Sequence, residues 1–141
     1  MDPFDLQRFV DALDGTFAAA LAELGTGAKQ GHWMWFIFPQ LAGLGRSSTA
    51  QYYGIASLGE ARAFLDHPLL GQRLRQCVAA ILSWAGRRSA EQMFGSLDAL
   101  KLRSSLTLFD VAEPQACFAD AIAAFFDGPD ERTLALVRQS G

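Results

Sequence analysis

Residues 29–40, K-Q-G-H-W-M-W-F-I-F-P-Q, decide how the chain is read. From Trp33 to Phe38 every side chain is apolar. A helix of that kind has no face suited to water and belongs at the centre of a domain. Pro39 should end it, because proline donates no backbone hydrogen bond and restricts the residue before it. A short apolar run also suits a buried strand, so the segment alone does not choose. A helix is expected over 29–40, with a strand as the competing reading.

Upstream, Asp2-Pro3 is a helix start. Leu6, Phe9, Val10, Leu13, Phe17, Leu21 and Leu24 then recur at three- and four-residue steps, one face of an amphipathic helix. Asp14-Gly15-Thr16 breaks or kinks it, and Gly25-Thr26-Gly27 ends it. Downstream, Gly43 to Gly45 is a loop, and Ser47 or Ser48 caps a helix running through Tyr53. Ser57 and Glu60 form a capping-box pattern for a helix to Leu65. His67-Pro68 opens a longer helix whose face is Leu70, Leu74, Cys77, Val78, Ile81 and Leu82. Ser89 and Gln92 repeat the box, Ser96 caps a helix to about Ala112, and Glu113-Pro114 starts another. Asp127-Gly128-Pro129 breaks that one, and 130–138 is a short last helix. No segment alternates with period two. The expected fold is all-α, one compact domain over 1–141 with seven to nine short and medium helices.

Composition agrees. The 141 residues suit one domain, and half are hydrophobic against 19% charged, which is globular. The net charge is −3 and the basic residues are scattered, without the dense stripe a nucleic-acid backbone needs. No nucleic-acid partner is expected. The start lacks a basic, apolar leader, and the longest apolar run is far below the ~20 residues that span a bilayer. No membrane partner is expected, and the protein is read as cytoplasmic, beginning at or near residue 1. Cys77 and Cys117 read as reduced, buried thiols suited to that compartment. Two histidines and two cysteines far apart make no zinc set, and neither H-E-x-x-H nor G-x-S-x-G occurs, so no metal or cofactor is expected.

Three groups of polar residues are candidates for a site. On a helix over 29–40, Lys29, His32, Trp33 and Phe36 share a face, which sets a cation and an acid–base group beside an indole. The alternative is a satisfied histidine at the core edge and a surface lysine. On the helix from Ser96, Asp98, Lys101 and Ser105 form a narrow polar strip between two apolar stripes. Lys101 is either salt-bridged to Asp98 or lines a pocket and meets an anion. In the loop 43–48, glycines, Arg46 and a serine-capped helix start offer donors to an anion, or simply cap the helix.

The same residues carry a family resemblance. Lys29 with H-W-M-W-F-I-F-P-Q (32–40) resembles the bacterial domain-of-unknown-function family 1810. Gly43-Leu44-Gly45 with Ser47, Tyr53 with Ile55, and Glu60-Ala61 with Leu65, His67, Pro68 and Leu69 match it too. So do Lys101-Leu102-Arg103-Ser104-Ser105 with Thr107, Leu108 and Phe109. The resemblance covers nearly the whole chain and implies a small, all-helical bacterial protein, with no activity to transfer. Some members carry the label calpastatin. Calpastatin-type inhibitors are disordered and repetitive, and this sequence is neither.

Two functional readings follow. In the first, Lys29, His32, Trp33, Gln40, Arg46, Ser47, Lys101 and Ser105 contribute to one cleft for a small anionic, phosphate- or nucleotide-like ligand. His32 and Lys101 are then the acid–base candidates if the protein is an enzyme. In the second, the aromatic segment is only core, and the protein is a non-enzymatic interaction or structural module. The residue pattern specifies no oligomeric state.

Overall fold

The structure is a computed structural model and describes residues 2–140; of the expected domain over 1–141, Met1 and Gly141 lie outside the described residues. Ten helices occur among the described residues: α1 (Gln7–Leu13), α2 (Phe17–Gly25), α3 (Met34–Ile37), α4 (Ser48–Tyr52), α5 (Leu58–Asp66), α6 (Leu70–Leu82), α7 (Ala90–Phe94), α8 (Ser96–Ala112), α9 (Cys117–Phe125) and α10 (Glu131–Ser140). The fold is all-helical, and the one extended pairing described is a parallel bridge between Leu41 and Ile55. No described helix is long and apolar enough to cross a membrane.

The count exceeds expectation by one because the first amphipathic face is cut in two. Gly15 adopts φ +79°, a left-handed conformation that glycine takes without steric cost, and separates α1 from α2. Asp2-Pro3 does not begin the first helix: residues 3–4 form a turn and α1 starts at Gln7, although the two Asp2 oxygens accept from the N–H groups of Leu6 and Gln7 at 2.8 and 2.9 Å. Ser47, Ser57 and Ser89 each accept from the third backbone N–H beyond them, as capping residues do. Ser96 does not cap: Gly95 takes that position and α8 begins at Ser96 itself. Nor does Glu113-Pro114 begin a helix, since residues 113–116 form a turn and α9 starts at Cys117.

The larger difference concerns residues 29–40. Only Met34–Ile37 is helical. The backbone N–H groups that would start an earlier helix are engaged sideways. Lys29 donates to the Met93 carbonyl at 2.8 Å, and Gln30 and Gly31 donate to Glu23 Oε1 at 2.7 and 2.9 Å. After Pro39, Ile55 N–H donates to the Gln40 carbonyl and Ala42 N–H to the Ile55 carbonyl, which holds the chain extended. The aromatic run is core nonetheless: Trp33, Met34, Ile37 and Phe38 are buried.

The centre of the domain is α8. It packs on α3, α5, α7, α9 and α10, and every residue of 104–109 is buried. A row of rings ties this helix to its neighbours. Phe9 of α1 meets Phe64 of α5 at 5.1 Å, Phe64 meets Phe109 of α8 at 5.3 Å, and Phe109 meets Phe118 of α9 at 5.7 Å. Such pairs add about 0.5–1.5 kcal/mol each beyond the burial of their area.

One buried ion pair fastens the N-terminal helix. Arg8 Nη2 donates to Glu60 Oε2 at 2.7 Å and to the Gly54 carbonyl at 3.0 Å. Nε donates to the Tyr52 carbonyl, and Nη1 to those of Phe4 and Asp5. Glu60 Oε1 accepts from Ala56 N–H at 2.9 Å. Residues 4–5, the end of α4 and the start of α5 therefore converge on one guanidinium. Breaking such a pair from one side leaves a buried charge uncompensated and typically costs about 3–5 kcal/mol. Arg8→Met is expected to lower unfolding stability by about that much in urea denaturation; a loss below about 1 kcal/mol, the level of an exposed pair, contradicts the role given to Arg8.

Candidate functional site

Glu23, on α2, shapes the segment that carries Lys29. Its Oε1 accepts from Gln30 N–H, Gly31 N–H and, at 3.0 Å, the Trp33 indole N–H. Burial works against its charge, but the bonds from Gly31, Gln30 and Trp33 outweigh it and hold the carboxyl below the usual glutamate range. So held, the irregular stretch before α3 turns the Lys29 side chain inward, where it is 8% exposed.

Lys29 Nζ meets Asp98 Oδ2 of α8 at 2.8 Å and also donates to the Gly31 carbonyl. Lys101, one turn along α8, meets the other oxygen, Oδ1, at 3.5 Å. Each ammonium lies over an indole, Lys29 5.1 Å from the Trp33 ring centre and Lys101 5.2 Å from that of Trp35. Two ammoniums thus share one carboxylate, and two tryptophans flank them. Lys29 is the better satisfied, since its contact is shorter and its side chain more buried. Lys101 is 35% exposed and holds the longer contact.

Lys101 also borders a hollow of about 220 Å³ whose wall includes Gln40, Leu44, Leu100, Ser104, Asp130 and Arg132. Asp130 Oδ2 is engaged in starting α10, accepting from Thr133 N–H at 3.0 Å and Thr133 Oγ1–H at 2.6 Å, while the Ser104 hydroxyl proton is shared between it at 3.3 Å and the Leu100 carbonyl at 3.1 Å. Lys101, Arg132 and the Gln40 amide all present donors there. The volume is below the ~300 Å³ at which pockets for drug-sized ligands begin, and suits a compact anion.

Not every candidate residue reaches this place. Lys29, Trp33 and Lys101 meet around Asp98, and Gln40 joins Lys101 at the hollow. Without a helix before Met34, His32 does not share a face with Lys29; it is exposed and forms no hydrogen bond or ion pair among the described residues. Arg46 is exposed, and its carbonyl accepts from Gln51 Nε2 at 3.2 Å. Ser47 caps α4, with Oγ accepting from Ala50 N–H at 3.1 Å. Ser105 is fully buried inside α8, and its Oγ has no partner among the described residues. Conversely, Trp35, Asp130 and Arg132 belong to the site and were not candidates. Asp130 three residues before Thr133 is a helix-start pattern that points to its engagement. Nothing local marks Trp35 or Arg132.

Cys77 is buried, and burial pushes its thiol up to about 12, so it is not a nucleophile near neutral pH. Burial also raises Cys117. No group of three side chains able to hold a metal ion occurs among the described residues.

A family described as protein of unknown function (DUF1810) matches residues 3–137. The crystal structure of the conserved hypothetical protein Rv1873 from Mycobacterium tuberculosis is similar, at 48% identity and a TM-score of 0.93. The similarity covers 97% of this chain and 99% of that one. No curated protein matches the chain.

A carboxylate held low in the folded state stabilises it above the unfolded-state value and loses that contribution as pH falls through the folded one. Wild type should therefore exceed Glu23→Gln in stability above the ordinary glutamate value of 4.5, with the difference fading at lower pH. Urea midpoints measured across pH 3 to 7 check this, and a gap that widens toward acid contradicts it. In the native protein at pH 8, the Cys77 thiol should resist a thiol reagent and become reactive on unfolding; rapid native-state labelling at Cys77 contradicts its burial.

Proposed function

We propose that the chain, which belongs to the DUF1810 family of proteins of unknown function, binds a small anionic, phosphate-like ligand in the hollow beside Lys101. One observation carries the reading: two ammoniums are drawn onto a single carboxylate, so the cluster has one positive charge in excess. A third cation, Arg132, borders the same hollow, and Oδ2 of the Asp130 carboxylate there is occupied by Thr133. Partly desolvated cations favour an arriving anion more than solvated ones do, because the local dielectric is lower. Lys101 supplies the charge, Arg132 a two-pronged donor, and Gln40 a neutral donor that orients the ligand. The small volume fits one phosphate or carboxylate group, or the anionic end of a larger molecule.

The assignment extends to place. We put the protein in the cytoplasm, a setting supported by Cys77 and Cys117, which are free thiols.

A second reading, an interaction module, is favoured by a different observation. Leu97 and Leu100 stand one turn apart on α8 and are 75% and 60% exposed. Large apolar side chains clustered at a surface mark contact sites more often than isolated ones do.

Thermal unfolding separates the two. With inorganic phosphate, or a panel of small phosphates and carboxylates, one compound should stabilise wild type by about 2.7 kcal/mol at 100 times its dissociation constant. Lys101→Met should abolish that gain, and His32→Ala should leave it intact. A gain unchanged in Lys101→Met removes the ligand from this hollow, and no gain with any compound favours the interaction module.

A further inference from the structure

A separate hollow, of about 350 Å³, lies between the loop after α6, the start of α7 and the end of α9, with Arg87, Arg88, Ser89, Gln92 and Phe125 in its wall. Its polar side chains are unusually one-sided. No carboxylate lines it. Neither arginine takes part in an ion pair among the described residues. Arg87 spends one nitrogen on the Ser83 carbonyl at 2.8 Å and lies with its guanidinium 4.4 Å from the Trp84 ring centre. Arg88 spends one on the Gln92 carbonyl at 3.1 Å, while its Nε is buried with no acceptor among the described residues.

The capping box occupies one acceptor position on each of its two side chains. Ser89 Oγ accepts from Gln92 N–H at 3.1 Å, and Gln92 Oε1 accepts from Ser89 N–H at 2.8 Å. The Ser89 hydroxyl proton, the Gln92 amide protons and most of two guanidiniums remain as donors, beside one lone pair each on Ser89 Oγ and Gln92 Oε1. Arg87 is exposed and Arg88 half-buried at this wall, and one anion accepts from several guanidinium N–H groups at once. In a chain of net charge −3, this is local segregation of charge rather than general basicity.

The hollow does not end at the arginines. It shares Ser89 and Phe125 with a neighbouring one of about 430 Å³, walled by Ala90, Ala99, Leu100 and Phe126. Glu91 and Arg103 also border this second hollow, and Arg103 is engaged with the carbonyls of Gly128 and Pro129. An arginine-lined hollow thus adjoins one of mixed lining, in which Leu100, Phe125 and Phe126 stand beside Ser96, Glu91 and Arg103. We infer that the two together form a site for a nucleoside monophosphate, with the phosphate at Arg87 and Arg88 and the planar base against Phe125 and its apolar neighbours. This site is distinct from the hollow at Lys101 and does not depend on it.

Isothermal titration calorimetry of the full chain in a phosphate-free buffer tests this with three probes: adenosine 5′-monophosphate, adenosine and inorganic phosphate. The monophosphate should bind more tightly than either part alone. Arg87→Gln should weaken it roughly tenfold or more, as loss of a charge-assisted contact does. Arg87 is exposed, so that variant should fold like wild type. Arg88 packs more deeply, against the position of Gly27, so Arg88→Gln is read only beside its own unfolding curve. Lys101→Met should bind as wild type does. The inference is overturned by absence of binding at millimolar monophosphate, by Arg87→Gln binding like wild type, or by loss of binding in Lys101→Met. Inorganic phosphate binding as tightly as the monophosphate removes the nucleoside part.

Discussion

The ion pair between Lys29 and Asp98 is the constraint around which the aromatic segment is arranged. A lysine side chain only 8% exposed needs a compensating charge, and Asp98 lies at 2.8 Å. To bring Lys29 there, the backbone before Met34 forgoes a helix, and its N–H groups bond to Glu23 and to the Met93 carbonyl. The irregular stretch therefore leaves no backbone donor of residues 29–31 unpaired, which a buried loop requires. The tryptophans follow from the same arrangement: Trp33 is tied to Glu23 by its indole N–H, and Trp35 lies beneath Lys101. Asp98 is the hinge between fold and site, because its second oxygen is the one that Lys101 meets.

Away from this corner, packing and the Arg8 network carry the structure. The rings of Phe9, Phe64, Phe109 and Phe118 run through four helices. Arg8 has all five of its donor directions accounted for. A guanidinium suits that task better than an ammonium, because its planar fork reaches several carbonyls at once. These rings join α1, α5, α8 and α9, and the candidate hollows lie along α8 and beside α7.

Local sequence made much of this legible. The Leu70, Leu74, Cys77, Val78, Ile81 face is buried as its spacing requires, and the caps at Ser47, Ser57 and Ser89 form because each needs only its own next turn. The contact between Asp98 and Lys101 is of the same kind, three residues along a helix. What escaped depends on partners far away in the chain. Residues 29–33 read as the start of a helix, and the N–H groups of 29–31 go instead to Glu23 and Met93. Lys29 reaches Asp98 across about half of the sequence. Arg8, unremarkable beside Phe9 in a periodic pattern, becomes a buried cation because Glu60 lies opposite. His32 looked chemical on a helix face, and with no helix there it faces solvent.

Lys29 and Asp98 are coupled strongly enough to set the path of the chain between α2 and α3. A double-mutant cycle of Lys29→Met and Asp98→Asn, read by equilibrium urea unfolding, measures that coupling directly. The two single substitutions should fail to add, with an interaction energy above about 1 kcal/mol, the upper range of exposed pairs. Additivity within about 0.3–0.5 kcal/mol, the behaviour of independent sites, contradicts it.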